Sequence, residues 1–437
     1  MADHAKSDSP AVQAQLDRLS QLSSGRDILG LERITALLDA LGNPERRLPP
    51  VFHVAGTNGK GSTCAFLRAA LEADNKLVHC YTSPHLVRFN ERIRIHGKLI
   101  GDDMLADYLR RVLDIAEPIA PSFFEATTAA AFLAFAEHPA DAAVIEVGLG
   151  GRLDATNVIP TPVCCGIAQL GLDHEAFLSD DAVQIAREKA GIAKPGRPLV
   201  TMAYPLALRE AVAETAEAAD ATVRREGYDW HYTRMENSIR IVFEDKLIDA
   251  QLPALSGAHQ FANAALAIAM LLAQQTVSIR PESLEAAPAR AIWPARLQRL
   301  VPGPLTADLG ARIMLLDGGH NVAAAKALAN HLSGQSRHLL ILGMMANKDA
   351  GGWLDVMAPH IAGMIAVPIA DHAHHAPQAL VALAEARGIP AATAPDISSA
   401  VALAAQMPDD LGAVPVLIAG SLYLAGEVLR LNGQAPD

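Results

Sequence analysis

A glycine-rich segment that follows a short apolar run constrains the fold of this chain more than any other feature. Residues 51–55 read VFHVA and residues 56–63 read GTNGKGST, and a helix-like pattern comes next. This order of strand, loop and helix is that of a P-loop, whose backbone N–H groups and helix N-terminus hold phosphate oxygens. In this interpretation Lys60 reaches the outer phosphates of a nucleotide, and Ser62 or Thr63 faces a metal ion.

The spacing of this loop departs from the usual P-loop pattern. Val54 stands where the pattern has its first glycine, and Gly61 separates Lys60 from Ser62. The alternative is a glycine-rich turn that binds nothing. Because a lysine buried in such a turn without an anion would be costly, we expect a phosphate-binding site.

Composition narrows the classes of function. The chain has 437 residues, of which 51% are apolar, enough for two or three domains. Its formal net charge of −12 argues against nucleic acid as a partner, since binding to a phosphate backbone needs a basic face. The four cysteines show no C-x-x-C spacing, which favours reduced, buried thiols. We see neither a signal-like N-terminal segment nor a membrane-spanning apolar run, so we expect a cytoplasmic protein that does not bind membranes.

Apolar runs that read as strands alternate with helical patterns along most of the chain. In the first part the strand-like runs are 76–81, 142–147, 163–169 and 199–203, and the helical patterns include 31–41, 102–117 and 122–137. This alternation predicts an α/β fold with a parallel-dominated, doubly wound sheet. Residues 221–252 alternate Thr, Tyr, Trp and Ile with charged residues and predict a small β excursion.

The segment from Trp293 to Pro304 marks a predicted domain boundary. It contains WPAR at 293–296 and PGP at 302–304, and the strand–helix alternation restarts beyond it. We therefore predict a P-loop ATP-binding domain at 1–296 and a smaller, Rossmann-like α/β domain at 297–437. The strands of the second domain are expected to end at Leu316, Leu342, Val367 and Ile418.

Polar side chains follow the predicted strands of the first domain, at the sheet edge where α/β proteins bind their ligands. Ser83 and His85 follow the second strand, Glu146 lies in the third, and Asp173 and His174 follow the fourth. Hydroxyl and carboxylate oxygens beside a triphosphate suit Mg²⁺, whereas a histidine is an unusual Mg²⁺ ligand. Singly, these residues read as an ion-paired strand residue and a loop histidine, but together they favour a metal site.

Three further features have open interpretations. Asp317, in a glycine-rich turn between a strand and a helix, could bind a ribose hydroxyl, or the turn could be a simple N-cap. Lys189 reads, on composition alone, as a solvated charge. Residues 371–375 read DHAHH, and a polar surface loop is favoured over a metal site because no cysteine or spaced carboxylate completes a ligand set.

Taken together, these motifs resemble the Mur-ligase superfamily, and within it the folylpolyglutamate synthase and dihydrofolate synthase family of the bifunctional bacterial type. The resemblance runs from about Ile28 to Arg430. The motifs that carry it are LGLER at 29–33, LGNP at 41–44, the loop at 56–63, YTSPHL at 81–86, FNERI at 89–93, EVGLGGRLDATN at 146–157, GLDH at 171–174, EKAGI at 188–192, GAHQFANA at 257–264, DGGHN at 317–321, GMMANKD at 343–349 and GSLYLAGE at 420–427.

The resemblance implies an ATP-dependent amide ligase that acts as a monomer. A substrate carboxylate would attack the γ-phosphate of ATP to give an acyl phosphate, and the amine of L-glutamate would then displace phosphate. The substrates would be dihydropteroate and the γ-carboxylate of tetrahydrofolate, so that the chain both makes dihydrofolate and extends polyglutamates. The alternatives are a monofunctional folylpolyglutamate synthase or another Mur-type amino-acid ligase. Muramyl-peptide ligases carry an extra N-terminal domain, for which a chain that reaches its P-loop by residue 56 leaves no room.

The resemblance also implies roles for individual residues. Catalytic roles would fall to Lys60, Lys189 and His320, with Lys189 carrying a carbamate derived from CO₂. Two Mg²⁺ ions are expected, with the metal ligands Ser83, Glu146 and His174. A nucleotide-dependent switch without ligase chemistry would not need Lys189, His174 and the turn at Asp317 together. Nucleotide contacts are expected from Thr57, Asn58, Gly59, Lys60, Gly61, Ser62, Asn263, Arg296 and Asp317.

The predicted bifunctionality depends on the pterin or folate site. Phe124 could stack on a pterin or benzoyl ring, or it could pack in the core. The residues that the resemblance places in this site are Leu29, Gly30, Leu31, Ser122, Phe123, Phe124, Glu125, Leu153, Asp154 and Ala155.

Overall fold

The computed structural model divides into two compact units. The first unit includes the residues before Leu255 together with His259–Ile292, and the second includes Leu255–Ala258 and Trp293–Pro436. The residues that the structure describes are 5–22, 29–171, 181–310, 312–407 and 414–437.

The break between the units precedes Trp293, whereas the predicted boundary follows Arg296. The reason is that the segment around Arg296 hydrogen-bonds within the second unit. Gly318 N donates to Ala295 O at 2.9 Å, and Leu297 N donates to Asp317 Oδ2 at 2.9 Å. Arg296 therefore belongs to the second unit.

The first unit is built on an eight-stranded sheet in the order β4-β3-β2-β5-β1-β6-β7-β8. Apart from the antiparallel edge strands β3 and β4, neighbouring strands are parallel, which confirms the predicted doubly wound sheet. The strands are β1 Val51–Ala55, β2 Val78–Tyr81, β3 Ile93–Ile95, β4 Lys98–Leu99, β5 Ala142–Glu146, β6 Cys164–Ile167, β7 Pro198–Thr201 and β8 Thr222–Arg225.

Helices pack against this sheet in separate cores. The helices of the first unit are α1 Pro10–Leu22, α2 Glu32–Ala40, α3 Lys60–Ala73, α4 Asp102–Ala116, α5 Phe123–Glu137, α6 Ala182–Ala190, α7 Leu206–Ala218, α8 His259–Leu272 and α9 Pro281–Arg290. Helices α1, α2, α4 and α5 share one core with strand residues such as Ile145, and α6 and α7 share another with Ile167. Strands buried in this way read as continuous apolar runs, which is why the sequence pattern located them.

The predicted β excursion at 221–252 starts later than expected. Its strands are β9 Trp230–Arg234, β10 Ser238–Phe243 and β11 Lys246–Gln251, which form a three-stranded antiparallel sheet. Strand β8 instead joins the main sheet in parallel with β7, because Val223 packs against the core of α6 and α7.

The second unit has its own six-stranded sheet, in the order β12-β13-β17-β14-β15-β16. All of its neighbouring strands are parallel except β12, which pairs with β13 in the antiparallel sense. The strands are β12 Gln298–Arg299, β13 Met314–Leu316, β14 His338–Leu342, β15 Ile361–Ala366, β16 Ala391–Thr393 and β17 Val416–Ala419. The helices are α10 Val322–Leu332, α11 Ala350–Met357, α12 Pro377–Glu385, α13 Ile397–Ala405 and α14 Leu422–Leu431.

Two expectations from composition can be compared with the structure. The four cysteines are buried and unpaired, as expected. In the part of the chain that the structure describes, no helix has both the length and the apolar character of a membrane span.

Candidate active site

The glycine-rich loop connects β1, an interior strand of the larger sheet, to α3. Gly56 (φ +150°) and Gly59 (φ +83°) adopt backbone conformations that residues with side chains rarely take. Helix α3 begins at Lys60, and no side chain caps its N-terminus. The positive end of this helix is therefore available to an anion.

The loop is held against the segment that follows β6. Thr57 N donates to Gln169 O at 2.8 Å, and the Thr57 hydroxyl donates to Gly171 O at 2.9 Å. A Cβ at Gly56 would lie 2.9 Å from Ala168 Cβ, so the two backbones approach as closely as a glycine allows. These contacts fix the loop before any ligand is bound.

Asn263 lies against the same loop. It is buried on α8, and a Cβ at Gly59 would overlap its Oδ1 atom. Its Nδ2 donates to Gln260 Oε1 at 3.0 Å. The predicted adenine contact is thus a neighbour of the phosphate-binding loop.

Lys60 and Lys189 converge on one carbonyl oxygen. Lys60 Nζ donates to Gly56 O at 3.1 Å and to Thr57 O at 3.4 Å, and Lys189 Nζ donates to Gly56 O at 3.0 Å. The two ammonium nitrogens are therefore within about 6 Å of each other, which is the sum of their distances to Gly56 O. Two positive charges at this separation repel each other and favour an anion beside them.

Lys189 is not the solvated charge that its composition alone indicated. It lies near the end of α6 and is only 4% exposed. The turn after β5 packs against it so closely that a Cβ at Gly151 would lie 2.9 Å from Lys189 Cα and 2.5 Å from Glu188 O. This packing buries the lysine beside the P-loop.

Ser83 and Glu146 lie together at the ends of the adjacent parallel strands β2 and β5. Their proximity follows from the strand register, in which Tyr81 pairs with Ile145. Ser83 N donates to Glu146 Oε2 at 3.2 Å, and Glu146 is 4% exposed. A buried carboxylate next to a serine offers oxygen donors of the kind that Mg²⁺ binds.

The third predicted metal ligand, His174, lies outside the described residues. Within the described residues there is no cluster of three or more His, Cys, Asp or Glu side chains that could hold a metal ion. The pair Ser83 and Glu146 fits Mg²⁺ nonetheless, because this ion commonly takes few protein ligands together with phosphate and water oxygens.

Three of the predicted pterin residues have structural contacts in α5. Ser122 and Glu125 form a capping box, with Ser122 N donating to Glu125 Oε2 at 2.6 Å and Glu125 N donating to Ser122 Oγ at 3.2 Å. Glu125 also pairs with Arg33 Nε at 3.0 Å. Phe123 is buried in the core, in an edge-to-face contact with Phe89.

Phe124 is placed differently from its neighbour on α5. It is half-buried, and its ring lies so close over Gly148 that a Cβ there would overlap it. The ring of Tyr81 is 6.0 Å away between centroids. An aromatic surface therefore lies beside the turn that follows Glu146.

The remaining predicted pterin residues border the same region. Leu29, Gly30 and Leu31 are half-buried and lead into α2, which packs against α5 and the turn Ala155–Val158. Leu153 is half-buried, whereas Asp154 and Ala155 are buried. The structure thus brings these segments together in the first unit.

Asp317 organises a turn in the second unit. Its Oδ2 accepts the N–H of Leu297 at 2.9 Å, and its Oδ1 accepts the N–H of Gly319 at 2.7 Å. The cap of α10 is a different residue, Asn321, whose Oδ1 accepts the N–H of Ala324 at 2.8 Å. Asp317 is therefore not the N-cap of this helix.

Arg296 and His320 lie beside the same turn. A Cβ at Gly318 would lie 3.1 Å from an Arg296 guanidinium nitrogen, and His320 Nδ1 contacts Gly318 O at 3.1 Å. Asp317 and His320 thus lie in one turn of the second unit, and the Arg296 guanidinium lies against it.

The histidine-rich segment at 371–375 makes contacts other than metal ligation. His372 stacks on Tyr423 with ring centroids 3.8 Å apart. His374 Nδ1 contacts His372 O at 2.7 Å, and His375 Nε2 contacts Lys348 O at 2.8 Å. These contacts agree with the predicted polar loop.

The sequence motifs assigned no role to a buried chain of hydrogen bonds beneath the turn after β5. His53 Nε2 lies 2.8 Å from Thr156 Oγ1, which donates to Asp154 Oδ1 at 2.5 Å. Burial, with a smaller effect of Lys194, lowers the pKa of His53 to about 3. The signal in the sequence that would have indicated it is a histidine inside an apolar strand that leads into a P-loop.

Comparison with known proteins gives the family. The Mur ligase, glutamate ligase domain matches residues 304–422. Folylpolyglutamate synthase from Lacticaseibacillus casei is 34% identical over 422 residues, which cover 91% of this chain and 92% of that protein. The chain belongs to the folylpolyglutamate synthase and dihydrofolate synthase family. Dihydrofolate synthase/folylpolyglutamate synthase from Mycobacterium tuberculosis is 32% identical over 453 residues, 93% of this chain and 91% of that protein.

Solved structures of this family have the same fold. E. coli FolC in complex with DHPP and ADP aligns with a TM-score of 0.86 at 28% identity, over 97% of this chain and 98% of that one. A bifunctional folylpolyglutamate synthase/dihydrofolate synthase with Mn, AMPPNP and L-glutamate bound aligns with a TM-score of 0.83 at 29% identity, over 96% and 97% of the two chains. Membership of the folylpolyglutamate synthase and dihydrofolate synthase family confirms the resemblance and the fold class predicted from the motifs.

Proposed function

We propose that the protein is an ATP-dependent ligase that adds L-glutamate to dihydropteroate and to the γ-carboxylate of tetrahydrofolate. The observation that carries the proposal is the convergence of Lys60 and Lys189 on the Gly56 carbonyl. Ser83 and Glu146 lie at the same carboxyl edge of the sheet, so the site combines positive charge with oxygen donors for a metal ion. The family to which the chain belongs supports both substrates, since its members are named for both activities.

The proposed chemistry activates a carboxylate, because a carboxylate oxygen is a poor leaving group. The substrate carboxylate attacks the γ-phosphorus of ATP, ADP leaves, and an acyl phosphate forms. The amine of glutamate then attacks the acyl carbon and phosphate leaves, which completes the amide. The loop N–H groups and Lys60 hold the phosphates and offset the negative charge of the transition state.

The predicted nucleotide contacts are proposed for each unit by itself. In the first unit Thr57, Asn58, Gly59, Lys60, Gly61 and Ser62 would hold the phosphates and Asn263 the adenine. In the second unit Arg296, Asp317 and His320 would contact the nucleotide. Their support is that Asn263 lies against the loop at Gly59, and that Arg296 and His320 lie at the turn that Asp317 organises. ADP and AMPPNP in the solved relatives agree with a nucleotide ligand.

Ser83 and Glu146 would hold Mg²⁺, with His174 as a further ligand and two ions in the site. When bound, the metal neutralises charge on the phosphates. The relative that contains Mn and AMPPNP supports a divalent ion. The hydrogen bond from Ser83 N to Glu146 Oε2, at 3.2 Å, keeps the two residues side by side and supports their pairing as ligands.

Lys189 is proposed to carry a carbamate derived from CO₂. Its burial and the nearby Lys60 ammonium support this assignment, because a carbamate changes a repulsive pair of charges into an attractive one. The carbamate oxygens would face the second metal ion.

The pterin or folate ring is proposed to bind near Phe124, in the region bordered by residues 29–31 and 153–155. The exposed part of the Phe124 ring is the support, since the rings of Phe123 and Tyr81 are buried. Ser122 and Glu125 would support this region through the cap of α5. A monofunctional folylpolyglutamate synthase is the second candidate, favoured by the single name of the L. casei relative. We further propose a cytoplasmic monomer.

A coupled assay of ADP formation tests the proposed function. Purified protein is supplied with ATP, Mg²⁺ and glutamate, together with dihydropteroate or tetrahydrofolate. We expect ADP only when glutamate and one of the two carboxylate substrates are both present. ADP formation without glutamate, or without both carboxylate substrates, would contradict the proposed ligase. Activity with tetrahydrofolate but not with dihydropteroate, both in the presence of glutamate, would favour the monofunctional enzyme.

A further inference from the structure

His53 is an unusual residue for its position. It is the third residue of β1 and is fully buried, between the apolar neighbours Phe52 and Val54. Burying a polar ring in a central strand costs free energy unless its hydrogen bonds are satisfied. The strand leads directly into the phosphate-binding loop, so the ring lies beneath the candidate active site.

The hydrogen bonds of Thr156 define which nitrogen of His53 carries hydrogen. Burial raises the pKa of Asp154, but the N–H groups of Leu149 and Thr156 both donate to it and favour its ionised form. The Thr156 hydroxyl has one hydrogen, and its 2.5 Å contact with Asp154 Oδ1 uses it, because a carboxylate can only accept. The 2.8 Å contact between His53 Nε2 and Thr156 Oγ1 must therefore use a hydrogen on Nε2. His53 is thus a neutral Nε2–H donor, in agreement with its lowered pKa.

Asp154 transmits this chain of hydrogen bonds to the turn after β5. Its Oδ1 accepts from the hydroxyl and the N–H of Thr156, and its Oδ2 accepts from Leu149 N at 2.7 Å. The N–H of Gly148 also helps to stabilise the charge of this carboxylate. The carboxylate therefore fixes the backbone at Leu149, the residue next to Gly148.

Two parts of the candidate site rest on this turn. The ring of Phe124 lies directly against Gly148. At the other end of the turn, Arg152 N donates to Glu188 O at 2.7 Å, and Gly151 packs on Lys189 Cα. A shift of the turn would therefore move both the aromatic surface and the buried lysine.

We propose that His53 is a positioning residue: its Nε2–H holds the Thr156 hydroxyl on Asp154, so that Asp154 holds the turn that supports Phe124 and Lys189. The inference rests on the proposed function, because the roles of Phe124 and Lys189 come from it. His53 does not touch the substrates. It acts through Thr156 and Asp154.

Steady-state kinetics of paired variants tests this role. His53→Leu and Thr156→Val remove the donor and the hydroxyl, whereas His53→Gln and Thr156→Ser retain them. We expect the first pair to lower kcat/KM for the pteroyl substrate by about ten- to a hundredfold, the scale on which partners of site residues act. The KM for ATP should stay near its wild-type value, because the Thr57 contacts that hold the loop are unchanged. The second pair should recover most of the activity.

A double variant and a matched control separate positioning from stability. His53→Leu/Thr156→Val should be no worse than either single variant, because both remove the same chain of hydrogen bonds. His79→Leu is the control: His79 is also buried in a strand of this sheet, and its Nε2 contacts His138 O at 2.7 Å, away from the turn. It should lower the melting temperature and keep kcat/KM. Wild-type kcat/KM in His53→Leu and Thr156→Val would overturn the proposal, and so would additive losses in the double variant.

Nitrogen-15 NMR of the imidazoles tests the same chain without an activity assay. We expect the His53 signals, identified by their loss in His53→Gln, to show a ring that is protonated on Nε2 and neutral at pH 5. The ring of His79 should look similar, and its signals should remain in that variant. A His53 ring that carries its hydrogen on Nδ1, or that titrates near pH 6.5, would overturn the proposal. If the wild-type protein ligates no glutamate, the proposed function fails, whereas an active wild type with unaffected variants contradicts only the role of His53.

Discussion

Both units contain a strand that passes through a glycine-containing turn into a helix, but the two turns treat their backbone N–H groups differently. After β1, helix α3 begins at Lys60 and has no side-chain cap. After β13, Asn321 caps α10 and Asp317 accepts the N–H of Gly319. The first turn leaves the positive end of its helix to an anion, whereas the second satisfies its N–H groups with its own oxygens. The same local topology thus serves different chemistry because the residues differ.

The charged groups beside the two turns also differ. Two ammonium groups meet at Gly56 O in the first unit, whereas the second turn is built around the Asp317 carboxylate. The Arg296 guanidinium and the His320 imidazole lie beside that carboxylate's turn. The first arrangement suits phosphates, and the second suits hydroxyl groups. Variants in the two turns should therefore have unequal effects.

The largest effect is expected from Lys60→Ala. The variant removes the cation that would offset charge on the transferred phosphate, so ADP formation should fall by about a hundredfold or more. Lys326→Ala is the matched control, since Lys326 is an exposed lysine on α10, the helix after the second turn. It should keep full activity. Near-normal ADP formation by Lys60→Ala would remove the assignment of the first turn as a phosphate site.

Lys189→Ala should rank next. We expect the loss of a carbamate to reduce kcat by about a hundredfold, with partial recovery when short carboxylates such as acetate are added to the assay. Lys60→Ala is the control for this rescue, because added carboxylates should not restore its activity. An unmodified Lys189 ammonium in crystals of the active enzyme would contradict the carbamate.

A smaller and selective effect is expected from Phe124→Ala. Loss of an aromatic contact should reduce kcat/KM for dihydropteroate about tenfold more than for tetrahydrofolate. Phe132→Leu, in the core on the same helix, should change stability without changing this ratio. Equal losses with the two substrates in Phe124→Ala would exclude a separate pterin contact.

The smallest effect is expected from Asn321→Ala in the second turn. Removing the cap of α10 should cost about 1 kcal/mol of stability, while Asn321→Ser should keep most of it. Thermal unfolding measures this difference, and kcat should change little. A loss of ADP formation as large as that of Lys60→Ala would break the distinction between the turns.

The sequence predicted those parts of the site that depend on local order along the chain. The P-loop is contiguous, and Ser83 and Glu146 follow from the rule that parallel strands end at one edge. The S-x-x-E pattern at Ser122 and Glu125 was readable as a capping box, although the resemblance placed both residues in the pterin site.

Contacts between distant parts of the chain could not be predicted in this way. Lys189 and Gly56 are 133 residues apart, and local pattern alone made Lys189 a solvated charge. His53 and Thr156 are 103 residues apart, and their contact depends on how the turn after β5 packs beneath the site. In both pairs the burial comes from tertiary packing, which periodicity does not report.

Oxygen-18 transfer tests the central claim most directly. Dihydropteroate labelled with oxygen-18 in its carboxylate is incubated with the enzyme, ATP, Mg²⁺ and glutamate, and mass spectrometry follows both the product and the released phosphate. An acyl phosphate predicts a glutamyl amide and one labelled oxygen in each phosphate released. Unlabelled phosphate, or phosphate released without the amide, would contradict the account.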